Sequence, residues 1–201
     1  MIALIDYKAG NLTSVKKALG AVGADVIVPE TPADLANASG IIVPGVGHFG
    51  ATRAIDRPWI DAIVDRVAQG RPLLGICLGM QWLFESSDEA PSLRGLGVLP
   101  GTCVRLTPSA GGCKVPHVGW NSLSLRMPEA WITDGVREGA QVYFTHSYVA
   151  PVSGDTVATT EHGIPFAAVV ERGQVAGVQF HPEKSGDAGL RILRNFVALA
   201  G

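Results

Sequence analysis

One cysteine of this sequence has the surroundings of a nucleophile. Cys77 has a glycine two positions away on each side, follows the apolar run Leu73–Ile76 and precedes an apolar helical stretch over residues 78–84. A nucleophile flanked in this way, at a sharp turn from a strand into a helix, has the nucleophile-elbow arrangement with cysteine in place of serine. The positive end of the following helix favours a thiolate. We therefore predict that Cys77 is a nucleophile and that the Leu78 N–H is an oxyanion donor.

A cysteine nucleophile needs a base, and residues 179–185 contain one. His181 follows residues 175–180, a pattern that predicts an alternating strand. Pro182 holds the residue before it extended, so the side chains of His181 and Glu183 project to the same side. Glu183 can then fix the tautomer of the imidazole and stabilise the imidazolium. The segment thus predicts a base and its orienting carboxylate.

A second oxyanion donor is predicted in residues 44–47, Pro-Gly-Val-Gly, which follow the apolar run Gly40–Val43. Glycines there allow the N–H of Val46 or Gly47 to face the thiol. By itself this segment is equally typical of a turn that ends a strand. All three segments follow strands, however, and open α/β sheets bind their ligands at the carboxyl edge of the strands.

The elements that must position these residues alternate between short apolar runs and helical patterns. Residues 12–22 have apolar side chains at helical spacing with Asn11 placed as the cap, and a second helix has its apolar stripe on residues 60–67. Strands are predicted at residues 2–5, 25–28, 40–43 and 73–76. This alternation predicts an α/β fold with a doubly wound, mostly parallel sheet.

The pattern changes after Gly95, where shorter β-type runs are separated by glycine and proline. We expect them to be antiparallel strands, added to the parallel sheet or packed beside it. A helix over residues 190–199 ends the chain, with Asp187 near its start. Neither a linker nor a repeat interrupts the pattern, so we predict one domain over residues 1–201.

Composition excludes several classes of protein. Sixteen basic and eighteen acidic residues give a net charge of −2 without a dense basic run, which disfavours nucleic-acid binding. The uncharged stretch at residues 73–84 is shorter than the roughly 20 residues that a membrane span needs, and the beginning of the chain lacks a basic region typical of a signal peptide. Three cysteines without a C-x-x-C pair disfavour disulfides and metal sites. We expect a cytoplasmic protein without a metal or cofactor.

The other cysteines and histidines are expected to have no catalytic role. Cys103 and Cys113 lie in the β-rich part and have no metal-binding spacing. His117 and His146 are predicted to be structural or interface residues, and His162, beside a glycine, to be a solvated loop residue.

Together the motifs resemble those of the class I, triad-type glutamine amidotransferases over essentially the whole chain. The general signature lies in residues 44–47, 75–81 and 181–183. A narrower resemblance, to glutaminase subunits of imidazole glycerol phosphate synthase, rests on residues 6–12 (DYKAGNL), 116–121 (PHVGWN), 143–148 (YFTHSY) and 179–185 (QFHPEKS).

The resemblance implies that the cysteine attacks the side-chain amide of glutamine, with the histidine as base, and that glutamate and ammonia are released. Gln81 matches a position that holds the substrate, and Ser147 and Tyr148 match main-chain contacts to its amino-acid end. The ammonia would pass to a (β/α)₈ barrel partner, which makes imidazole glycerol phosphate and an aminoimidazole carboxamide nucleotide in histidine biosynthesis.

The resemblance also implies an interface with that partner at Asn11, Trp120 and Lys184. Trp120 lies between Gly119 and Asn121 and is predicted to be an exposed aromatic anchor. Residues 44–47 would rotate an amide into the oxyanion hole when the partner holds its nucleotide.

Three alternatives differ in what they predict. A glutaminase subunit of another synthase, of the anthranilate or pyridoxal-phosphate type, would be activated by a different partner, although the motifs around Asn11, Trp120 and Tyr148 disfavour it. A cysteine hydrolase of the same fold would act on other amides or peptides without a partner. A non-catalytic binding subunit would have an unreactive Cys77.

Overall fold

Short runs of β-branched and other apolar residues form the strands that support the site. The computed structural model describes residues 1–107 and 113–201. Its strands are β1 Ile2–Leu4, β2 Val26–Ile27, β3 Gly40–Val43, β4 Leu73–Ile76, β5 Phe84–Ser87, β6 Leu99–Arg105, β7 His117–Ser122, β8 Ser124–Leu125, β9 Gln141–His146, β10 Tyr148–Val149, β11 Thr156–His162, β12 Ile164–Arg172 and β13 Val175–Val178. Its α-helices are α1 Leu12–Ala21, α2 Arg57–Ala68, α3 Leu78–Trp82 and α4 Gly186–Ala200.

The main sheet has eight strands in the order β2-β1-β3-β4-β13-β12-β11-β8. The first five are parallel, and the last three continue the sheet antiparallel. Every residue of β3, β4 and β13 is buried, as expected of parallel strands that are covered on both faces. The predicted α/β fold, a mostly parallel sheet with added antiparallel strands, is confirmed.

Alternate side chains of the parallel strands enter two separate apolar clusters. Ile42 and Leu74 belong to a cluster that includes α1 and α4 residues, whereas Ile41 and Leu73 belong to one that includes α2 residues. Because successive side chains of a strand point to opposite faces, the two clusters lie on opposite faces of the sheet. The sheet is therefore a middle layer, and its carboxyl edge stays open for the loops that follow the strands.

Two smaller sheets lie beside the main one. One has the order β10-β6-β5, and the other pairs β7 with β9 antiparallel. The β7–β9 register places His117 opposite His146 and Trp120 opposite Tyr143. This pairing brings two of the sequence motifs, 116–121 and 143–148, together although they are far apart in the chain.

Three local predictions differ from the structure. Residues 175–180 do not form an alternating antiparallel strand, because β13 ends at Val178, is buried throughout and pairs parallel with β4 on one side and antiparallel with β12 on the other. The helix after Cys77 ends at Trp82, since Phe84 begins a strand that pairs with β6. The strand predicted at residues 25–28 is reduced to Val26–Ile27 at the edge of the sheet. In the described residues we find no helix long and apolar enough to cross a membrane.

Candidate active site

The backbone at Cys77 makes the sharp turn that the glycines predicted. Cys77 has φ 53° and ψ −105°, a left-handed conformation that is unusual for a residue with a side chain. A Cβ added to Gly75 would lie 2.5 Å from the carbonyl oxygen of Gly79. A Cβ added to Gly79 would collide with the carbonyl oxygen of Val43. Strand, turn and helix therefore pack so closely that only glycine fits on either side of the cysteine.

We predict that Gly79→Ala destabilises the protein by more than about 3 kcal/mol, the upper end of usual overpacking costs, because the obstructing atom is backbone. Gly20→Ala is the matched control: Gly20 lies in α1, and a Cβ there would have no neighbour within 4 Å. That change should be neutral or stabilise by up to about 1 kcal/mol, since alanine favours helix. Urea unfolding of both variants measures the difference. Equal stability of the two would contradict the close packing at the elbow.

His181 and Glu183 form a buried pair. The Nδ1–H of His181 donates a hydrogen bond of 2.9 Å to Oε1 of Glu183, and their side chains are 3% and 2% exposed. The histidine backbone is held from both sides, because its N–H donates to the Tyr143 carbonyl and its own carbonyl accepts from the Ser185 hydroxyl. The imidazole therefore has a fixed position and a fixed tautomer, with Nε2 left for another partner.

Cys77 is close enough to the imidazole of His181 to change its pKa. Burial lowers the pKa of His181, but the interactions with Cys77 and Glu183 outweigh burial and raise the pKa to about 9. Nε2 is buried and makes no hydrogen bond of ordinary geometry within the described residues. Catalytic hydrogen bonds are often loose before substrate binds. The structure thus brings together all three residues that the sequence predicted as nucleophile, base and orienter.

A buried carboxamide also approaches the sulfur, and a second carboxamide is hydrogen-bonded to the first. Nε2 of Gln179 lies 3.6 Å from Sγ of Cys77, and its Oε1 accepts from Nε2 of Gln81 at 3.1 Å. Nε2 of Gln81 also donates to the Tyr148 carbonyl at 2.9 Å. Both amide orientations are therefore determined, and both N–H donors of Gln81 are used within the protein. Sequence analysis gave Gln179 no role; its only signal was its place two residues before His181.

A cavity of about 210 Å³ opens beside the cysteine. This volume lies below the ~300–1,000 Å³ of typical drug-binding pockets and suits a small substrate. The predicted site residues that line it are Gly47, Cys77, Leu78, Gln81, Ser147 and Tyr148. It is also lined by Glu89, which is the only carboxylate among the lining residues and which sequence analysis missed. Glu89 accepts a hydrogen bond from the N–H of Phe49. Nothing in its local sequence indicated that it would reach the cavity.

Two of the predicted oxyanion donors, Leu78 and Val46, are bonded to other groups in this conformation. The N–H of Leu78 donates to the Gly45 carbonyl at 3.3 Å, and the N–H of Val46 donates to the Ala9 carbonyl at 2.7 Å. The peptide between Gly45 and Val46 therefore directs its oxygen, and not its N–H, toward the start of α3. That helix has only five residues, so its dipole is weaker than the longer predicted helix would provide.

The residues predicted for the partner interface lie near the surface. Trp120 is 57% exposed. Its ring and the ring of Tyr143 are nearly perpendicular, with their centres 6.0 Å apart. Nζ of Lys184 lies 5.7 Å from the centre of the same tyrosine ring. Asn11 caps α1 by accepting a hydrogen bond from the N–H of Ser14. Trp120 and Lys184 thus share one surface, and Asn11 has the capping role that its sequence position predicted.

Two other histidines, His117 and His146, form a hydrogen-bonded chain with Asn121 that begins at the wall of the cavity. Nδ1 of His146 donates to the Tyr148 carbonyl, so its Nε2 accepts from Nδ1 of His117 at 3.0 Å. Nε2 of His117 then accepts from the amide of Asn121. Burial, and then the neighbouring imidazoles, lower the pKa of both histidines, which keeps them neutral. The prediction for His162 is wrong: its ring stacks on His117 at 4.1 Å and bonds to the Lys114 carbonyl.

Neither of the other cysteines is placed for chemistry at this site. Cys103 is fully buried, and burial followed by the charge of Asp88 raises the pKa of its thiol. Cys113 is a half-buried free thiol. Within residues 1–107 and 113–201, no three His, Cys, Asp or Glu side chains are grouped in a way that could hold a metal ion.

Comparison with known proteins agrees with this geometry. Residues 3–200 match the family described as Glutamine amidotransferase class-I. The chain is 48% identical over 199 residues to imidazole glycerol phosphate synthase subunit HisH of Archaeoglobus fulgidus, with 98% of each chain covered. It is 42% identical over 200 residues to the subunit of the same name from Methanothermobacter thermautotrophicus, covering 99% of this chain and 98% of that one.

Solved structures show the same fold. A crystal structure of a glutamine amidotransferase superposes with a TM-score of 0.77 at 23% identity, covering all of both chains. The structure of PurLQS from Thermotoga maritima gives a TM-score of 0.74 at 17% identity, covering 98% of this chain and 97% of that chain. At such identities the likeness concerns the fold alone, whereas the sequence relatives establish the family. The chain therefore belongs to the class I glutamine amidotransferases and, among them, to the family of imidazole glycerol phosphate synthase subunit HisH.

Proposed function

We propose that this chain is the glutaminase subunit of imidazole glycerol phosphate synthase, which releases ammonia from glutamine for histidine biosynthesis. The observation that carries the proposal is the buried His181–Glu183 pair beside Cys77, next to a cavity of about 210 Å³. Nucleophile, base and orienting carboxylate are the groups that a thioester mechanism needs. The full-length similarity to HisH subunits supports the choice of glutamine as substrate.

The reaction begins when the sulfur of Cys77 attacks the side-chain amide carbon of glutamine. His181 holds the proton taken from the thiol and delivers it to the amide nitrogen, which leaves as ammonia. A water molecule then attacks the thioester, His181 accepts its proton, and glutamate leaves as the sulfur returns to its starting state. Glu183 stabilises the imidazolium in both halves of the cycle. The raised pKa of His181 favours this charged form.

Substrate is held by the groups around the cavity. Both N–H donors of the Gln81 side chain are used inside the protein. The contact of this side chain with glutamine would therefore be made by its carbonyl oxygen, Oε1. The carboxylate of Glu89 is placed to attract the α-ammonium group of the substrate, and Ser147 and Tyr148 supply main-chain contacts to the same end. Gln179 donates an N–H toward the sulfur and so helps to hold it in position.

The present orientation of the Gly45–Val46 peptide represents a resting state of the enzyme. The tetrahedral intermediate needs the N–H of Val46 or Gly47 together with that of Leu78, but the Gly45 carbonyl now accepts from Leu78. Rotation of this peptide would release the Leu78 N–H and turn the Val46 N–H toward the sulfur. Hydrolysis of glutamine by the chain alone should therefore be slow, and a partner that favours the rotated peptide should accelerate it.

A (β/α)₈ cyclase subunit is the proposed partner, in a heterodimer through which ammonia passes without entering the solvent. The surface with Trp120 and Lys184 is the proposed docking site, and Asn11 is proposed as a further contact with the partner. Trp120 is exposed, and tryptophan is among the residue types enriched in interface anchors. The motifs that contain these residues support this partner over the anthranilate and pyridoxal-phosphate synthases.

The test is to measure glutamate release by the purified chain alone, with a cyclase subunit, and with that subunit plus its nucleotide substrate. We expect slow release alone and release at least about 10²–10³-fold faster with subunit and nucleotide, because one oxyanion donor contributes that factor and the rotation frees both the Leu78 and the Val46 N–H. Activation only by an anthranilate or pyridoxal-phosphate synthase subunit would assign the chain to that enzyme. Fast hydrolysis of other amides without any partner would favour a general cysteine hydrolase.

A further inference from the structure

The hydroxyl of Tyr7 is a buried donor without an acceptor. Tyr7 is 5% exposed, and its hydroxyl makes no hydrogen bond to any described residue. Burial, and then the charge of Cys77, raise the pKa of the phenol, so the hydroxyl keeps its proton. Buried polar groups in native proteins nearly always have a partner, and an exception calls for an explanation. A phenylalanine would fill the same space without this defect, so the hydroxyl has no evident role in the resting conformation.

This hydroxyl lies against the segment that must rotate. A Cβ added to Gly45 would collide with the Tyr7 hydroxyl and lie 2.8 Å from Cβ of Leu78. The oxygen of Tyr7 therefore contacts the α-carbon of Gly45, whose carbonyl belongs to the peptide described above. The carbonyl of Ala9, two residues after Tyr7, accepts a hydrogen bond from the N–H of Val46. The segment from Tyr7 to Ala9 therefore contacts both residues of the peptide that must rotate.

The hydrogen bonds of that peptide show what the hydroxyl could do. At rest, the carbonyl of Gly45 accepts from Leu78, and the N–H of Val46 donates to Ala9. Rotation breaks both bonds. The freed N–H gains the developing oxyanion as an acceptor, but the carbonyl of Gly45 loses its donor and turns away from the start of α3. A buried carbonyl without a donor would oppose the rotation.

We propose that Tyr7 is a positioning residue, which donates a hydrogen bond from its hydroxyl to the carbonyl of Gly45 once the Gly45–Val46 peptide has rotated. The hydroxyl is unpaired at rest and paired in the active orientation, so it favours the active one. It acts through the peptide and does not touch glutamine or the sulfur. This inference rests on the proposed function, because it concerns the oxyanion donor of that reaction.

The test is Tyr7→Phe, which removes only the hydroxyl. Glutamate release is measured for the complex with the cyclase subunit but without nucleotide, where the resting peptide predominates. We expect kcat to fall about three- to tenfold, the effect of one neutral hydrogen bond, with little change in the KM for glutamine. The rate at which iodoacetamide alkylates Cys77 should stay the same, because alkylation needs no oxyanion donor. The midpoint of urea unfolding should not decrease, because an unpaired group has been removed.

Each other result has a distinct meaning. An unchanged kcat in Tyr7→Phe, while the wild-type chain hydrolyses glutamine, would overturn this inference and leave the proposed function intact. A change in alkylation rate that matches the fall in kcat would show that the hydroxyl acts on the sulfur, and a lower urea midpoint would show a structural role; either would overturn the inference. If the wild-type complex releases no glutamate even after its nucleotide is added, the proposed function fails and this inference fails with it.

Discussion

Replacing Cys77 with alanine is expected to abolish glutamine-dependent synthesis by the complex, while synthesis from added ammonium salt continues. In the proposed reaction the sulfur forms the thioester, and loss of the nucleophile in a comparable covalent mechanism costs about 10⁴-fold or more. In the proposed complex free ammonia would reach the cyclase subunit directly, so its use would not depend on the sulfur. Glutamate release and imidazole glycerol phosphate formation, measured with each nitrogen source, check both parts of the prediction.

Cys113→Ala is the control for the removal of a thiol. Cys113 is half-buried and free, and its loss should leave both nitrogen sources usable at wild-type rates. Retained glutamine-dependent synthesis in Cys77→Ala would show that the nucleophile is another group. Loss of ammonia-dependent synthesis in the same variant, with the complex still assembled, would contradict the division of labour between the two subunits.

Glu183→Gln is expected to lower the kcat for glutamine hydrolysis by about 10³–10⁴-fold. The carboxylate accepts from Nδ1 of His181, and an amide there can present an N–H and so favour the wrong imidazole tautomer; the equivalent change in serine proteases costs about 10⁴-fold. The KM for glutamine should change little, because Glu183 is not among the residues that line the cavity beside Cys77. Steady-state kinetics of the activated complex separate the two parameters.

Glu129→Gln provides the matched control, because it makes the same chemical change at an exposed position and should leave kcat within about twofold, as surface substitutions usually have small effects. A similar fall in kcat in both variants would mean that a Glu→Gln change lowers activity by destabilising the protein and not by its effect on His181. A Glu183→Gln variant with wild-type kcat would remove Glu183 from the mechanism.

The proton held by His181 should make the stability of the protein depend on pH. The pKa of His181 is raised to about 9 in the folded protein, against about 6.5 in an unfolded chain. Between these values the native state holds a proton that the unfolded state has lost, so this stabilisation is complete below pH 6.5 and is lost as the pH rises through 9. We expect the free energy of unfolding in urea to fall over this range, and to fall less in Glu183→Gln. If the free energy of unfolding falls equally with pH in the wild-type chain and in Glu183→Gln, the Glu183 carboxylate does not help to keep the proton on His181.

Much of the fold could be predicted because its central elements have strong local signals. β3 and β4 occupy Gly40–Val43 and Leu73–Ile76 as predicted, since each is a short apolar run with glycine and proline beside one of its ends. α1 begins after Asn11, whose side chain caps it. The error at residues 175–180 has a different origin. Whether a short run is central or at an edge depends on which strands pair with it, and β4, the parallel neighbour of β13, is about 100 residues away in the chain.

His162 illustrates the same limit at the level of one side chain. A histidine beside a glycine is typical of a solvated turn, but the pairing of β7 with β9 and the position of β11 place its ring on His117. Glu89 and Gln179 were missed for the same reason, because their roles come from neighbours contributed by other elements.

By itself, the sequence determined the chemical groups of the site and the local turns that present them: a cysteine between glycines, a histidine and a carboxylate two residues apart, and a glycine-rich segment after a strand. Residue type and short-range spacing are enough for such features. Only the tertiary structure decided that Gln179 faces the sulfur, that the Tyr7 hydroxyl has no hydrogen-bond partner within residues 1–107 and 113–201, and that the Gly45 carbonyl occupies the Leu78 N–H. These features depend on contacts between distant segments and on the rotation of one peptide plane, which no residue type specifies.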